Sequence, residues 1–151
     1  MVFESKYADD STKSIGFSFI KAYNIWHRKI KKELLDIGLT HPQFVVLAAL
    51  GYLASHQDEV KQIDVAASAD MDVMTCSTIV RNLEKGDLLY RQNSIRDTRA
   101  KILSITVAGK QVLTQALKIV ESVDDSFFAA LGDEQDTFNQ SLHQLIQNAH
   151  E

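Results

Sequence analysis

The chain has 151 residues, 45% of them hydrophobic and 24% charged, with a formal net charge of −4 and a single cysteine. That length suits one domain able to bury a core, and the composition is that of a folded protein rather than a disordered or fibrous one. One cysteine excludes an internal disulfide framework, and no apolar run approaches the ~20 residues of a membrane span. The first residues lack the basic head and apolar middle of a signal peptide, so the expected location is the cytoplasm.

The charge is unevenly spread: residues 61–110 carry +2 and residues 111–151 carry −6. An acidic whole argues against a nonspecific nucleic-acid coat. It leaves room for a local phosphate-binding face, because salt screens charges beyond about 8–10 Å.

In chain order, residues 1–10 are polar and read as loose. Ile15, Phe19, Tyr23, Trp26, Ile30, Leu34 and Ile37 then recur in steps of three and four, which predicts one apolar stripe on a long helix stopped at Gly38. Thr40 and Gln43 match a capping box, with Pro42 in the first turn. The helix behind them is apolar all round from Phe44 to Leu50, and therefore central. "SHQDE" reads as a polar loop. Two short helices follow, over roughly 62–69 and 73–85, the second capped by Asp72 and ended by Gly86. Its Val73, Cys76, Ile79, Val80 and Leu83 lie on one face, and Thr75, Ser77, Thr78 and Arg81 on the other.

The period then changes. "LLYR" and "KILSI" are short β-tolerant runs around the arginine-rich "QNSIRDT", which predicts a hairpin. Thr106 caps a further long helix with a stripe of Val112, Ala116, Ile119, Val120, Val123 and Phe127. "LGDEQDTF" breaks it, and a last helix shows Phe138, Leu142, Leu145, Ile146 and Ala149.

A helix–turn–helix followed by an arginine-tipped hairpin is the winged-helix arrangement, so the expected fold is mainly α with a small β-hairpin wing. Thr75, Ser77, Thr78 and Arg81 are the candidate contacts to DNA on the second helix of the pair, where bulky side chains would hold the helix off the bases. Arg96 and Arg99 are the candidates on the wing, because a guanidinium fork matches phosphate oxygens and suits a narrow minor groove. Asp97 between them joins the set as the residue that holds an arginine and fixes the loop. The competing readings are a solvated hairpin tip for Arg96 and Arg99, and a surface ion pair with Glu84 for Arg81. Cys76 reads as a buried structural thiol. The five histidines, His27, His41, His56, His143 and His150, show no zinc-ligand spacing, and no catalytic constellation or phosphate loop stands out. No metal, cofactor or enzymatic activity is therefore expected.

At these residues the sequence resembles the MarR family of transcriptional regulators, over roughly residues 15–150. The pieces are "LTHPQFVVLAAL", the helix pair "QIDVAASADMDVMTCSTIVRNLEKGDLLYR" and the wing "RDTRAKILSITVAG", with Asp97 and Arg99 at the tip and Thr106 and Gly109 opening the next helix. The resemblance implies a single unit over 1–151, a winged-helix DNA-binding region over 40–105, and long N- and C-terminal dimerisation helices over 11–37 and 107–151. It also implies a cytoplasmic homodimer that represses or activates transcription on an inverted-repeat operator and is released by a small aromatic or lipophilic effector. Tyr23, Trp26, His27, His41 and Phe44 are the candidate effector contacts. Three features depart from the family pattern. The glycine expected ahead of the wing is Gly86 followed by Asp87; a recognition-helix arginine is here Thr78; and the cysteine and histidine of the peroxide- and zinc-sensing branches are absent. The alternative from another class is a winged-helix protein–protein module without DNA binding.

Overall fold

In the computed structural model, which describes residues 1–149, the order is a short 3-10 turn (Ser11–Lys13), α1 (Ile15–Leu35), α2 (His41–Ala54), α3 (Gln62–Ser68), α4 (Val73–Lys85), β1 (Leu89–Asn93), β2 (Lys101–Ile105), α5 (Val107–Phe128), a 3-10 stretch (Ala129–Glu134) and α6 (Gln135–Ala149). His150 and Glu151, which the expected C-terminal helical region includes, lie outside the described residues. The chain divides into two compact units, one of residues 1–29 and 121–151 and the other of residues 30–120, so the divisions fall inside α1 and α5.

The unit of residues 30–120 holds the core. Ile30 and Leu34 of α1 are buried there with Phe44, Val46, Leu47 and Leu50 of α2, Val65 of α3, Cys76, Val80 and Leu83 of α4, Leu89 and Leu103 of the hairpin, and Leu113 and Ala116 of α5. Each fully buried side chain of this size is worth roughly 1.5–3 kcal/mol. The apolar α2 is central, as its all-round hydrophobicity requires. Its capping box forms as read: the Thr40 hydroxyl accepts from Gln43 N at 3.2 Å, and Gln43 Oε1 accepts from Thr40 N at 3.1 Å.

The helix ends are settled by hydrogen bonds rather than by apolar spacing. The regular part of α1 stops at Leu35, short of Ile37, because Gly38 N and Leu39 N turn back to the carbonyls of Leu35 and Leu34 around a left-handed Gly38 (φ +71°). The same closure ends α4, but Asp87 (φ +59°) takes the left-handed position, while Gly86 stays at φ −85°. Asp70 (φ +51°) does so after α3. A short carboxylate side chain tolerates that region where most side chains do not.

The hairpin pairs antiparallel from Leu89↔Ile105 to Asn93↔Lys101. The segment before α3 joins its edge, with Leu103 N donating to Val60 O at 2.9 Å and a bridge between Lys61 and Ile102. Thr106 opens α5: its hydroxyl accepts from Gly109 N at 2.9 Å and donates to Asp87 O at 2.6 Å.

The unit of residues 1–29 and 121–151 is different in kind. None of its described residues is buried. Its helices are joined by partly exposed aromatic contacts, such as Phe128 against Phe138 at 6.2 Å, and by a buttressing hydrogen bond from Trp26 Nε1 to Asp124 Oδ1 at 2.7 Å. Ile15, Phe17, Phe19, Ile20 and Tyr23 on one side of the sequence, and Phe138, Leu145 and Ile146 on the other, stay exposed. Among the described residues no helix is long and apolar enough to cross a membrane.

Candidate nucleic-acid interface

The candidate recognition helix is α4. Cys76, Val80 and Leu83 anchor it in the core, and this leaves Thr75, Thr78 and Arg81 exposed and Ser77 half-buried on its outer side. Asp72 holds its first turn, accepting from Thr75 N at 2.8 Å and from the Thr75 hydroxyl at 2.7 Å; these bonds hold its carboxyl below the usual carboxylate range. The Thr75 and Thr78 hydroxyls donate along the helix, to Asp72 and to Met74 O, so each keeps its oxygen lone pairs for an incoming donor. Arg81 makes no pair with Glu84. Its guanidinium lies back along the helix, donating to Ser77 O at 3.3 Å and to the Ser77 hydroxyl at 3.2 Å.

Glu84 is taken by Arg91 instead. Arg91 donates to it from its backbone N at 3.1 Å and from its guanidinium at 3.0 and 3.2 Å, which lowers the Glu84 carboxyl pKa and clamps the end of α4 to β1. One arginine of the basic stretch is therefore a strut. Lys101 is also engaged, its Nζ donating to Asn93 Oδ1 at 2.7 Å across the strand pair.

Arg96 and Arg99 sit in the turn between the strands, and the Arg99 side chain is 96% exposed. The turn itself is closed by hydrogen bonds. Ser94 N donates to Ala100 O and Ala100 N to Asp97 O. The Ser94 hydroxyl accepts from the backbone N of both Arg96 and Asp97 at 3.1 Å and donates to Glu59 Oε2 at 3.1 Å. Asp97 does hold an arginine, but by its main chain: Arg99 N donates to Asp97 Oδ1 at 3.1 Å, while the guanidinium Nε stands 4.0 Å away. The tip is thus a hydrogen-bonded main-chain loop carrying two cationic forks in solvent. Spacing gives no signal of the Ser94–Glu59 contact, since a serine in a polar loop and a glutamate in another look like solvated surface.

The effector candidates fall into two stacked groups. Tyr23 lies over His27 at 5.5 Å and tilts against Trp26 at 5.9 Å in one unit; His41 stacks with Phe44 at 6.5 Å in the other. Tyr23 and Trp26 line an almost wholly apolar cavity of about 270 Å³ with Phe19, Phe127, Phe128 and Phe138; His27 does not line it. Cys76 is fully buried, and burial, with a smaller push from Asp72, raises its thiol pKa. Among the described residues no three His, Cys, Asp or Glu side chains gather as metal ligands.

Comparison with known proteins places these features among related ones. The sequence profile of the MarR family matches residues 39–101, the span from the start of α2 through the wing tip. An HTH-type transcriptional regulator of Bacillus subtilis, YdcH, itself uncharacterised, is 36% identical over 148 residues, covering 98% of this chain and 99% of its own. Among solved structures, BpsR of Bordetella bronchiseptica, whose DNA binding is regulated by 6-hydroxynicotinic acid, superposes with a TM-score of 0.78 at 22% identity over 91% of this chain and 95% of that one. The MepR–DNA complex of S. aureus superposes with a TM-score of 0.78 at 24% identity over 89% and 98%.

Proposed function

The chain belongs to the MarR family, and on that premise we propose that it is a homodimeric, sequence-specific DNA-binding transcriptional regulator, acting in the cytoplasm as a repressor. The observation that carries this reading is the joint presentation of an exposed polar face on α4 (Thr75, Ser77, Thr78 and Arg81) and a stiffened wing tip with Arg96 and Arg99 in solvent. Base edges in the major groove demand the first; backbone phosphate or the minor groove demands the second. MepR, with the same fold, has been seen on DNA, which supports assigning the same two surfaces here.

Dimerisation follows from the unit of residues 1–29 and 121–151. A layer of helices with no buried residue and this many exposed aromatic and aliphatic side chains is covered in solution, and a second copy is the occupant the family implies. A two-fold dimer reads an inverted repeat, with half-sites about one helical turn, ~10–10.5 bp, apart. Footprinting on the DNA beside its own gene should show a protected dyad of that spacing. Protection without a dyad, or binding that is insensitive to salt, would move the protein toward the interaction-module alternative.

An aromatic or lipophilic effector fits the same scheme. Tyr23 and Trp26 line an apolar cavity of a size to take a small ring, and BpsR shows that a protein of this fold can be governed by an aromatic acid. His27, His41 and Phe44 remain effector candidates on the family resemblance. No catalytic role is proposed.

A further inference from the structure

Three hydrogen bonds at the wing tip run through one hydroxyl. Ser94 is 3% exposed, the one polar side chain among the buried residues described. Its oxygen takes the backbone N–H of Arg96 and Asp97, and its hydrogen goes to Glu59, 35 residues earlier in the chain. Glu59 is itself held at its base. Its carbonyl accepts from Gln57 Nε2 at 2.9 Å, and its neighbour Val60 is buried and bonded to Leu103 N of β2. A hydroxyl that donates to a carboxylate is the better acceptor for it, because charge-assisted and serial hydrogen bonds strengthen one another.

We propose that Glu59 and Ser94 form a positioning pair that freezes the main chain under Arg96 and Arg99 and so sets duplex affinity. The proposal rests on the DNA-binding reading above. Neither residue faces the duplex in this scheme. Glu59 adds a negative charge near the basic tip, which by electrostatics alone opposes DNA binding. Its value is entropic: a loop already ordered loses less freedom when its arginines engage phosphate. Without the pair, the N–H groups of Arg96 and Asp97 lose their shared acceptor and the loop samples other shapes.

Charge and hydrogen bonding separate cleanly at Glu59. Glu59→Ala and Glu59→Gln remove the same charge, but only glutamine keeps an acceptor for the Ser94 hydroxyl. The full-length wild type, both Glu59 variants, Ser94→Ala and the double variant Glu59→Ala/Ser94→Ala are titrated with a duplex of the DNA beside the gene, and amide hydrogen exchange is followed at Arg96 and Asp97. Glu59→Ala should bind about three- to tenfold more weakly than Glu59→Gln, the fold-change expected for one hydrogen bond. Ser94→Ala, which also removes the acceptor of two backbone N–H groups, should bind at least as weakly as Glu59→Ala, and the double variant should be no worse than Ser94→Ala. Exchange at Arg96 and Asp97 should quicken in every variant but Glu59→Gln. Equal affinity of the two Glu59 variants overturns the proposal, as does unchanged exchange in Ser94→Ala. Should Ser94→Ala misfold, the Glu59 pair still decides, since it leaves Ser94 in place. A wild type that binds no duplex overturns the regulator reading and the affinity role together, whereas the exchange arm still separates the strut from that failure.

Discussion

Arg99 and Gly109 carry the sharpest consequences of single side chains. Arg99 stands in solvent on a hydrogen-bonded turn, so Arg99→Ala should weaken binding to operator and scrambled duplex alike. The salt slope should flatten by about 0.9 for each phosphate that the variant no longer neutralises. Arg99→Lys should also weaken binding, because an ammonium does not copy a planar fork. Asp97→Ala adds positive charge yet strips the Arg99 N–H of its acceptor, and should weaken binding; Asp97→Asn keeps an acceptor and should not. Salt titrations of the four variants, with melting curves alongside, check this. Gly109 is a packing requirement. A Cβ there would overlap the Leu88 carbonyl oxygen and meet Ile105 Cγ1 at 2.8 Å. The Leu88 carbonyl is bonded to Thr106 N at 3.2 Å and has nowhere to go. Gly109→Ala should destabilise by roughly 1–3 kcal/mol or more, read by denaturant unfolding.

At the scale of elements, α4 is held at both ends by carboxylates. Asp72 caps its start and Glu84 clamps its last turn to β1, and both carboxyls titrate below their ordinary range. A carboxyl whose folded pKa is depressed stabilises the fold above its unfolded pKa, and that stability is lost as pH falls through the folded value. The melting temperature should therefore fall in acid, below the ordinary carboxylate pKa. Asp72→Asn keeps a cap and should show a shallower acid decline, whereas Asp72→Ala should melt lower at neutral pH. A profile identical in wild type and Asp72→Asn would remove Asp72 from the account. The hairpin is braced in the same manner, by the Arg91–Glu84 clamp and by the segment that adds to its edge at Val60.

For the whole molecule, the two units make opposite demands. Residues 30–120 bury a core of their own. The helices of residues 1–29 and 121–151 bury none of their described residues, and their sequences differ in charge, with Lys21, Arg28 and Lys29 in the first and Glu121, Asp124, Asp125, Asp133, Glu134 and Asp136 in the second. Sedimentation at micromolar concentration should give a dimer. Removing residues 133–151 takes away Phe138, Leu142 and Leu145, and should cause dissociation or aggregation while the secondary structure of residues 30–120 persists. A soluble full-length monomer would refute the assembly.

Local chemistry was enough for much of this. The capping box at Thr40, the Asp72 cap, the apolar α2, the change of period at the hairpin and the Thr106 cap each depend on residues within a few positions of one another, and the sequence by itself determined them. The buried state of Cys76 followed from its face on α4. Pairings between distant segments did not follow from spacing. That Glu84 pairs with Arg91 and not Arg81, that Lys101 is spent on Asn93, and that Ser94 reaches Glu59 all depend on which strands and loops the fold brings together. The left-handed turn at Asp87 beside an available glycine was likewise set by closure onto Leu88, since a backbone hydrogen bond across the turn outweighs the local preference for Gly86. Which cationic side chains are left for a phosphate is decided by that tertiary accounting. The sequence presents a cluster of equivalent charges, and only folding sorts them into struts and solvent-exposed forks.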